Sequence, residues 1–161
     1  MIFYNDMPSH SRVWIYQGNR ELSAAELTEI KSKSEIFVSQ WTSHDQLMKA
    51  CIEIFYNRFI VVVVDEKTAS ASGCGIDKSV RFIQQLEKDH SIDLTDRMQV
   101  AFKQADKVSS CSPSVFEQML SEGKLNPETI VFNNLAANKA EMENLWEVPV
   151  KQSWHKRMLR A

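Results

Sequence analysis

The sequence predicts a single α+β domain, with a mostly antiparallel sheet of about five strands and helices packed chiefly on one face. Three observations carry this. "RFIVVVVDE" (58–66) holds four consecutive valines. β-Branched side chains crowd a helix, and an apolar run without alternation suits a strand buried on both faces. Ser23-Ala24-Ala25-Glu26 is a capping box, followed by Leu27, Ile30, Phe37 and Trp41 at helical spacing. Through residue 104 the order is strand, helix, strand, strand, helix, strand, which is the ferredoxin-like split βαβ order.

Each element has its own signal. "RVWIYQ" (12–17) is rich in β-branched and aromatic residues and reads as a strand. The capping box opens a helix over 24–41. "MKACIEIFYN" (48–57) is strand-like, and Asn57-Arg58 sits where a hairpin to the valine strand would turn. Residues 67–75 are small and loop-like; Ile76, Val80, Ile83 and Leu86 then mark a second helix over roughly 77–90, with Asp77 as its N-cap. "MQVAFKQ" (98–104) and "KVSS" (107–110) read as two strands. Ser112-Pro113 opens a third helix with proline at its first position, and Gly123 stands where a C′ glycine belongs. "ETIVFNN" (128–134) is a short strand, and Asn138 with Glu141 caps a helix through Trp146 that Pro149 stops. Residues 147–161 form a basic tail with Lys151, Lys156, Arg157 and Arg160; Val150, Trp154 and Met158 fall on one helical face, which predicts packing on the core. No linker divides the chain, so 1–161 reads as one domain.

Composition excludes several classes of function. The chain is 43% apolar and 25% charged, with a net charge of −2. That balance gives no global field for nucleic acid or a membrane surface. The longest apolar run, Phe59 to Val64, is too short to span a bilayer. The first twelve residues lack the basic and apolar regions of a signal peptide. Three cysteines, Cys51, Cys74 and Cys111, show no paired spacing. That fits a reducing cytoplasm and neither a disulfide framework nor a zinc site. With no histidine motif either, no metal and no cofactor are expected.

The candidate site is "SGCGIDKS" (72–79). Flanking glycines let backbone approach a ligand, and the helix start offers free amides and a favourable dipole to an anion or a thiolate. The ligand-binding candidates are Ser72, Gly73, Cys74, Gly75 and Asp77, with Asp65 and Arg81 converging from the strand end and the helix. Cys74 is the candidate nucleophile, yet no histidine has a spacing that ties it to Cys74. The alternative is a tight turn with Asp77 as cap. Asn57, Arg58, Glu66, Asn133 and Asn134 could line an adjoining cleft, or serve only as turn chemistry. "FIVVVVDE" has the form of a Walker B strand, and 72–79 can be laid on a phosphate loop with Lys78 and Ser79 matching. Both required glycines fail there, being Ser72 and Asp77, and the two segments stand in the wrong order.

Taken together, "SRVWIYQ", "NRFIVVVVDE", "SGCGIDKSVRFI", "TIVFNNL" and "WEVP…SWHKR" resemble a family of small bacterial proteins of unassigned activity. Some members carry the label ABC transporter ATPase. The resemblance covers nearly the whole chain and implies a bacterial protein. An intact P-loop and an LSGGQ-type signature are both missing from this sequence. The expectation is therefore a small cytoplasmic binding or interaction domain, a homodimer being one assembly. The alternative is a ligand binder for a small anion, or a thiol enzyme, using the Ser72–Asp77 loop.

Overall fold

The computed structural model describes residues 1–67 and 69–159. After a short 3-10 turn at Tyr4–Asp6 come β1 (Arg12–Gln17), α1 (Ala24–Gln40), β2 (Thr42–Ser43), β3 (Gln46–Leu47), β4 (Lys49–Phe55) and β5 (Phe59–Asp65). There follow α2 (Gly73–His90), β6 (Val100–Gln104), β7 (Lys107–Cys111), α3 (Pro113–Ser121), β8 (Ile130–Phe132), α4 (Lys139–Leu145) and β9 (Glu147–Pro149). Two 3-10 turns, Val150–Gln152 and Trp154–Met158, close the described chain.

The chain is α+β, and its strand pairing is antiparallel throughout the described residues. The expected single sheet of about five strands is instead three sheets, ordered β1-β5-β4, β2-β3 and β7-β6-β8-β9. The ferredoxin-like pattern is not completed. β1 and β4 run parallel on either side of β5, each antiparallel to it (Trp14 and Ile52 both opposite Val62), as a split βαβ unit requires. The fourth strand departs: β6 joins the other sheet and does not pair with β1, and two short strands, β2 and β3, interrupt the order between α1 and β4. Sequence order alone does not choose a strand's partner.

β5 explains the layering. Its seven residues are all buried, as its unbroken valine run requires. Alternate side chains face opposite layers. Ile60, Val62 and Val64 meet Ile30 of α1 and Ile83 and Leu86 of α2. Phe59, Val61 and Val63 meet Ala101 and Phe132 of the second sheet, with Met142 and Trp146 from the end of the chain. The far face of the second sheet packs Val100, Phe102 and Val131 against Phe116 of α3, Val150 and Met158. The order is therefore helices, sheet, sheet, then helix with terminal turns, and both faces of the valine sheet are covered. Helices on one face are not enough here, because an apolar strand on both sides demands two covers.

Each fully buried valine stabilises by roughly 1.5 kcal/mol or more, whereas an exposed ion pair contributes about 0–1 kcal/mol. The core therefore outweighs surface pairs such as Lys33–Glu29 and Lys124–Glu122.

Local signals are satisfied where they were read. Ser23 Oγ accepts from the Glu26 amide (3.2 Å), and Glu26 Oε1 accepts from the Ser23 amide (3.0 Å). Ser112 caps α3 with Pro113 at its first position, Gly123 has φ +75°, and Asn138 caps α4 through the Glu141 amide. Pro149 lies in β9, opposite Ile130, and not at a helix end. The tail is two 3-10 turns, not a helix, with Val150, His155 and Met158 buried; Arg160 lies outside the described residues.

Candidate functional site

α2 begins at Gly73, four residues before the expected start. The N-cap is Ser72, not Asp77. Glycine's poor helix propensity hides this start in the sequence, and packing overrides it. The β2–β3 hairpin seats on the first turn of α2. Ser43 Oγ and Ser72 Oγ lie 2.7 Å apart, the Trp41 indole donates to the Gly75 carbonyl (2.9 Å), and Lys78 Nζ donates to Thr42 O (3.0 Å) and Thr42 Oγ1 (3.2 Å). A β-carbon on Gly75 would stand 3.1 Å from Ser43 Cβ, so this glycine is required by close approach. The preceding segment is half interior, with Ala69 and Ala71 buried under the helices. Thr68, which falls within the loop read at 67–75, lies outside the described residues. Gly73, Cys74 and Asp77 are exposed.

Residues 72–79 are thus the first two turns of α2, and the phosphate-loop near-match is helical. Lys78 is turned onto Thr42 and not toward the helix start.

Asp65 belongs to a different cluster. It ends β5, is 5% exposed, and accepts from the Lys67 amide (3.1 Å). His10 Nε2 lies 3.1 Å from its Oδ1, and Lys49 Nζ lies 3.5 Å from its Oδ2. The Lys67 amide, with help from His10, holds its carboxyl below the usual range. Glu66 pairs with Arg12 (3.6 Å) and accepts from the Ala71 amide (3.0 Å), which fixes the loop.

The concave feature on the helical side is a groove of about 370 Å³, lined by Phe37, Gln40, Trp41, Lys78, Arg81 and Phe82. Phe37 and Phe82 stack at 4.5 Å with their planes 15° apart, and Phe37 meets Trp41 at 5.2 Å. Two cations stand at this aromatic surface, and no acid is among the lining residues. Arg81 makes no ion pair among the described residues. Of the sequence-derived candidates the groove contains Arg81 alone. Ser72, Gly73, Cys74 and Gly75 stand together at the helix start, and Asp65 is held by His10, Lys49 and the Lys67 amide.

Asn134, one of the asparagines expected at a cleft, is otherwise engaged. Asn134 Nδ2 donates to Gln17 Oε1 (2.8 Å), and Asn134 Oδ1 accepts from the Trp146 indole (2.9 Å), between the two sheets. Arg58 donates to Ser110 Oγ (2.9 Å). Sequence reading missed His10, Lys78 as a groove residue, and Phe37 with Phe82. Phe37 was read as part of the first helix's apolar stripe, Phe82 belonged to no stripe, and nothing in sequence spacing brings one helix to the other. His10 is 55 residues from its partner.

No family description, curated protein or solved structure matches this chain. Among the described residues no set of three or more histidines, cysteines and acids is placed to hold a metal, and no helix is long and apolar enough to cross a membrane.

Proposed function

We propose that this chain is a small non-catalytic binding domain whose α1–α2 groove takes an aromatic or apolar anion, a carboxylate above all. One observation carries the reading: the groove joins a stacked Phe37–Phe82 surface to Lys78 and Arg81, with no acid in its lining. Ligand sites are typically apolar clefts of about 300–1,000 Å³ with a few placed polar groups. Arg81 supplies a planar fork that suits a carboxylate, while Lys78, fixed on Thr42, adds positive charge. Three free cysteines support a reducing cytoplasmic location, and the family of small bacterial proteins remains the kinship we infer from the sequence phrases.

The test is titration with 2-naphthoate and with its neutral amide, read by calorimetry and by Trp fluorescence. The acid should bind, the amide should bind more weakly, and Arg81→Gln should weaken the acid about tenfold. Equal binding of acid and amide, or no heat from either, sinks the proposal.

A second reading places a thiol or anion site at Ser72–Asp77. It rests on the exposed Cys74 in the first turn of α2, whose N-cap serine pairs its hydroxyl with that of Ser43 and accepts from none of the helix amides. Thiol reactivity, argued in the Discussion, tests it.

A further inference from the structure

Alternation along β4 puts Cys51, Glu53 and Phe55 on one face of the valine sheet. The N-terminal segment packs on that face. Ile2 and Tyr4 sit with Cys51 and Phe55 in the layer between the two sheets, while Phe3 is left 57% exposed. The segment is tied down at several points. The Asp6 amide donates to Phe3 O (3.0 Å), Asp6 Oδ2 accepts from the Phe3 amide (3.1 Å), and the buried Lys139 donates to Met7 O (2.7 Å). Between the segment and the strand lies a hollow of about 360 Å³, lined by Phe3, Tyr4, Asn5, Glu53, Ile54 and Phe55. Tyr4 and Phe55 form a corner in it, their rings 5.3 Å apart and 81° to each other, and Phe55 is braced by Trp146 at 5.5 Å. Glu53 makes no ion pair among the described residues. No base is among the lining residues. The α1–α2 groove is the reverse, with rings beside cations and no acid.

We propose that this hollow binds a small quaternary ammonium compound of the choline type, with its methyl groups against Phe3, Tyr4 and Phe55 and its charge answered by Glu53. Aromatic rings attract a cation through their negative faces, and several rings set around one charge are the usual receptor for a methylated ammonium. The chemistry of the lining favours the methylated form. A primary ammonium brings three donors that need acceptors, and the polar side chains here are Glu53 and Asn5 alone. A quaternary ammonium brings no donor and offers apolar surface to the rings. The volume suits a small ligand, at the low end of the range of about 300–1,000 Å³ for such sites. Tyr4 already carries one cation, since Lys139 Nζ stands 4.8 Å from its ring centre. Lys139 is 7% exposed, is partnered by Glu143 at 3.6 Å, and is not among the lining residues. Tyr4 is therefore chiefly a wall, and the ligand's charge is met by Phe3, Phe55 and Glu53.

The test is titration with choline followed by NMR chemical shifts of the isotope-labelled protein. The control is the neutral carbon isostere of choline, in which a tert-butyl group replaces trimethylammonium. Choline should shift the signals of Phe3, Tyr4, Glu53 and Phe55, and the isostere should bind about tenfold more weakly. Glu53→Gln and Phe3→Ala should each weaken choline about threefold or more. Both side chains are outside the buried core, and an unchanged spectrum away from the hollow shows that each variant is folded. Four results overturn the proposal: equal binding of choline and the isostere, choline shifts confined to another part of the chain, choline affinity unchanged by Glu53→Gln, or no shift at about tens of millimolar choline, far beyond the usual range for a specific site. A short peptide carrying trimethyllysine is the last arm. Binding of that peptide much tighter than choline assigns the hollow to a methylated protein partner and overturns the small-molecule assignment, and weaker binding supports it.

Discussion

Gly75 of α2 lies so close to Ser43 of the β2–β3 hairpin that a β-carbon added to the glycine would stand 3.1 Å from that of the serine. Gly73, one helical position pair earlier, has nothing within 4 Å of its own β-carbon position among the described residues. The two glycines share a helix but not a reason for being glycine. Gly73→Ala should stabilise the protein by about 0.5 kcal/mol, because alanine loses less entropy in a helix. Gly75→Ala should gain the same propensity and lose more by displacing the hairpin, a net loss of about 1 kcal/mol. Urea unfolding of both variants decides it. Equal stabilisation by the two would show that the hairpin seat is soft.

The three cysteines should separate cleanly in a native alkylation experiment. Cys74 is exposed, Cys111 is half-buried, and Cys51 is buried. Burial pushes the Cys51 thiol up to about 12 and raises that of Cys111. Iodoacetamide at neutral pH, read by peptide mass spectrometry, should label Cys74 first and Cys51 only after unfolding. The midpoint of the Cys74 rate against pH distinguishes the two readings of its loop. A midpoint well below the ordinary thiol value of about 8.5 supports an activated site, and an ordinary one leaves a structural helix start.

Local chemistry was legible in the sequence; long-range pairing was not. The capping box at Ser23, the Ser112-Pro113 start, the Asn138 cap and the valine strand all appear within a residue or two of their expected places. Each depends on neighbours along the chain. The division into separate sheets depends on which strand β6 joins, and nothing within 98–104 encodes that choice. β2, β3 and β9 escaped notice because two- and three-residue strands carry no periodicity. At the candidate site Arg81 was singled out together with the glycine loop. The structure places it in one groove with Phe37, 44 positions earlier, a proximity that comes from helix packing.

Asn134 should prove costly to remove. Its amide serves Gln17 on one side and the Trp146 indole on the other, and both partners are buried. Asn134→Ala leaves an acceptor and a donor without partners between the sheets. Each unpaired buried polar group costs about 1–3 kcal/mol, so a loss of about 2–4 kcal/mol is expected in urea unfolding. A loss below about 1 kcal/mol would mean that water replaces the amide.

His155 should give the protein a pH-dependent stability above the carboxylate range. It is 2% exposed, its Nδ1 lies 2.6 Å from Ser153 Oγ, and it stacks on Trp154 at 3.8 Å. Burial, reinforced by the Arg157 charge, lowers its pKa from the model-compound value of 6.5 to about 4. The folded protein therefore keeps the ring neutral where the unfolded chain protonates it. Between about pH 6.5 and 4 the unfolded state binds the extra proton, so stability falls as pH falls through that window and is fully present above it. The expected size is of the order of 2 kcal/mol, after discount for partial solvent screening. Carboxylates with lowered values, such as Glu26 (about 2, held by Arg20) and Asp65, add their own losses further down. Thermal or urea unfolding in steps from pH 7 to 4.5 isolates the histidine. His155→Gln should flatten that slope while lowering the plateau, and an unchanged slope in the variant would falsify the assignment.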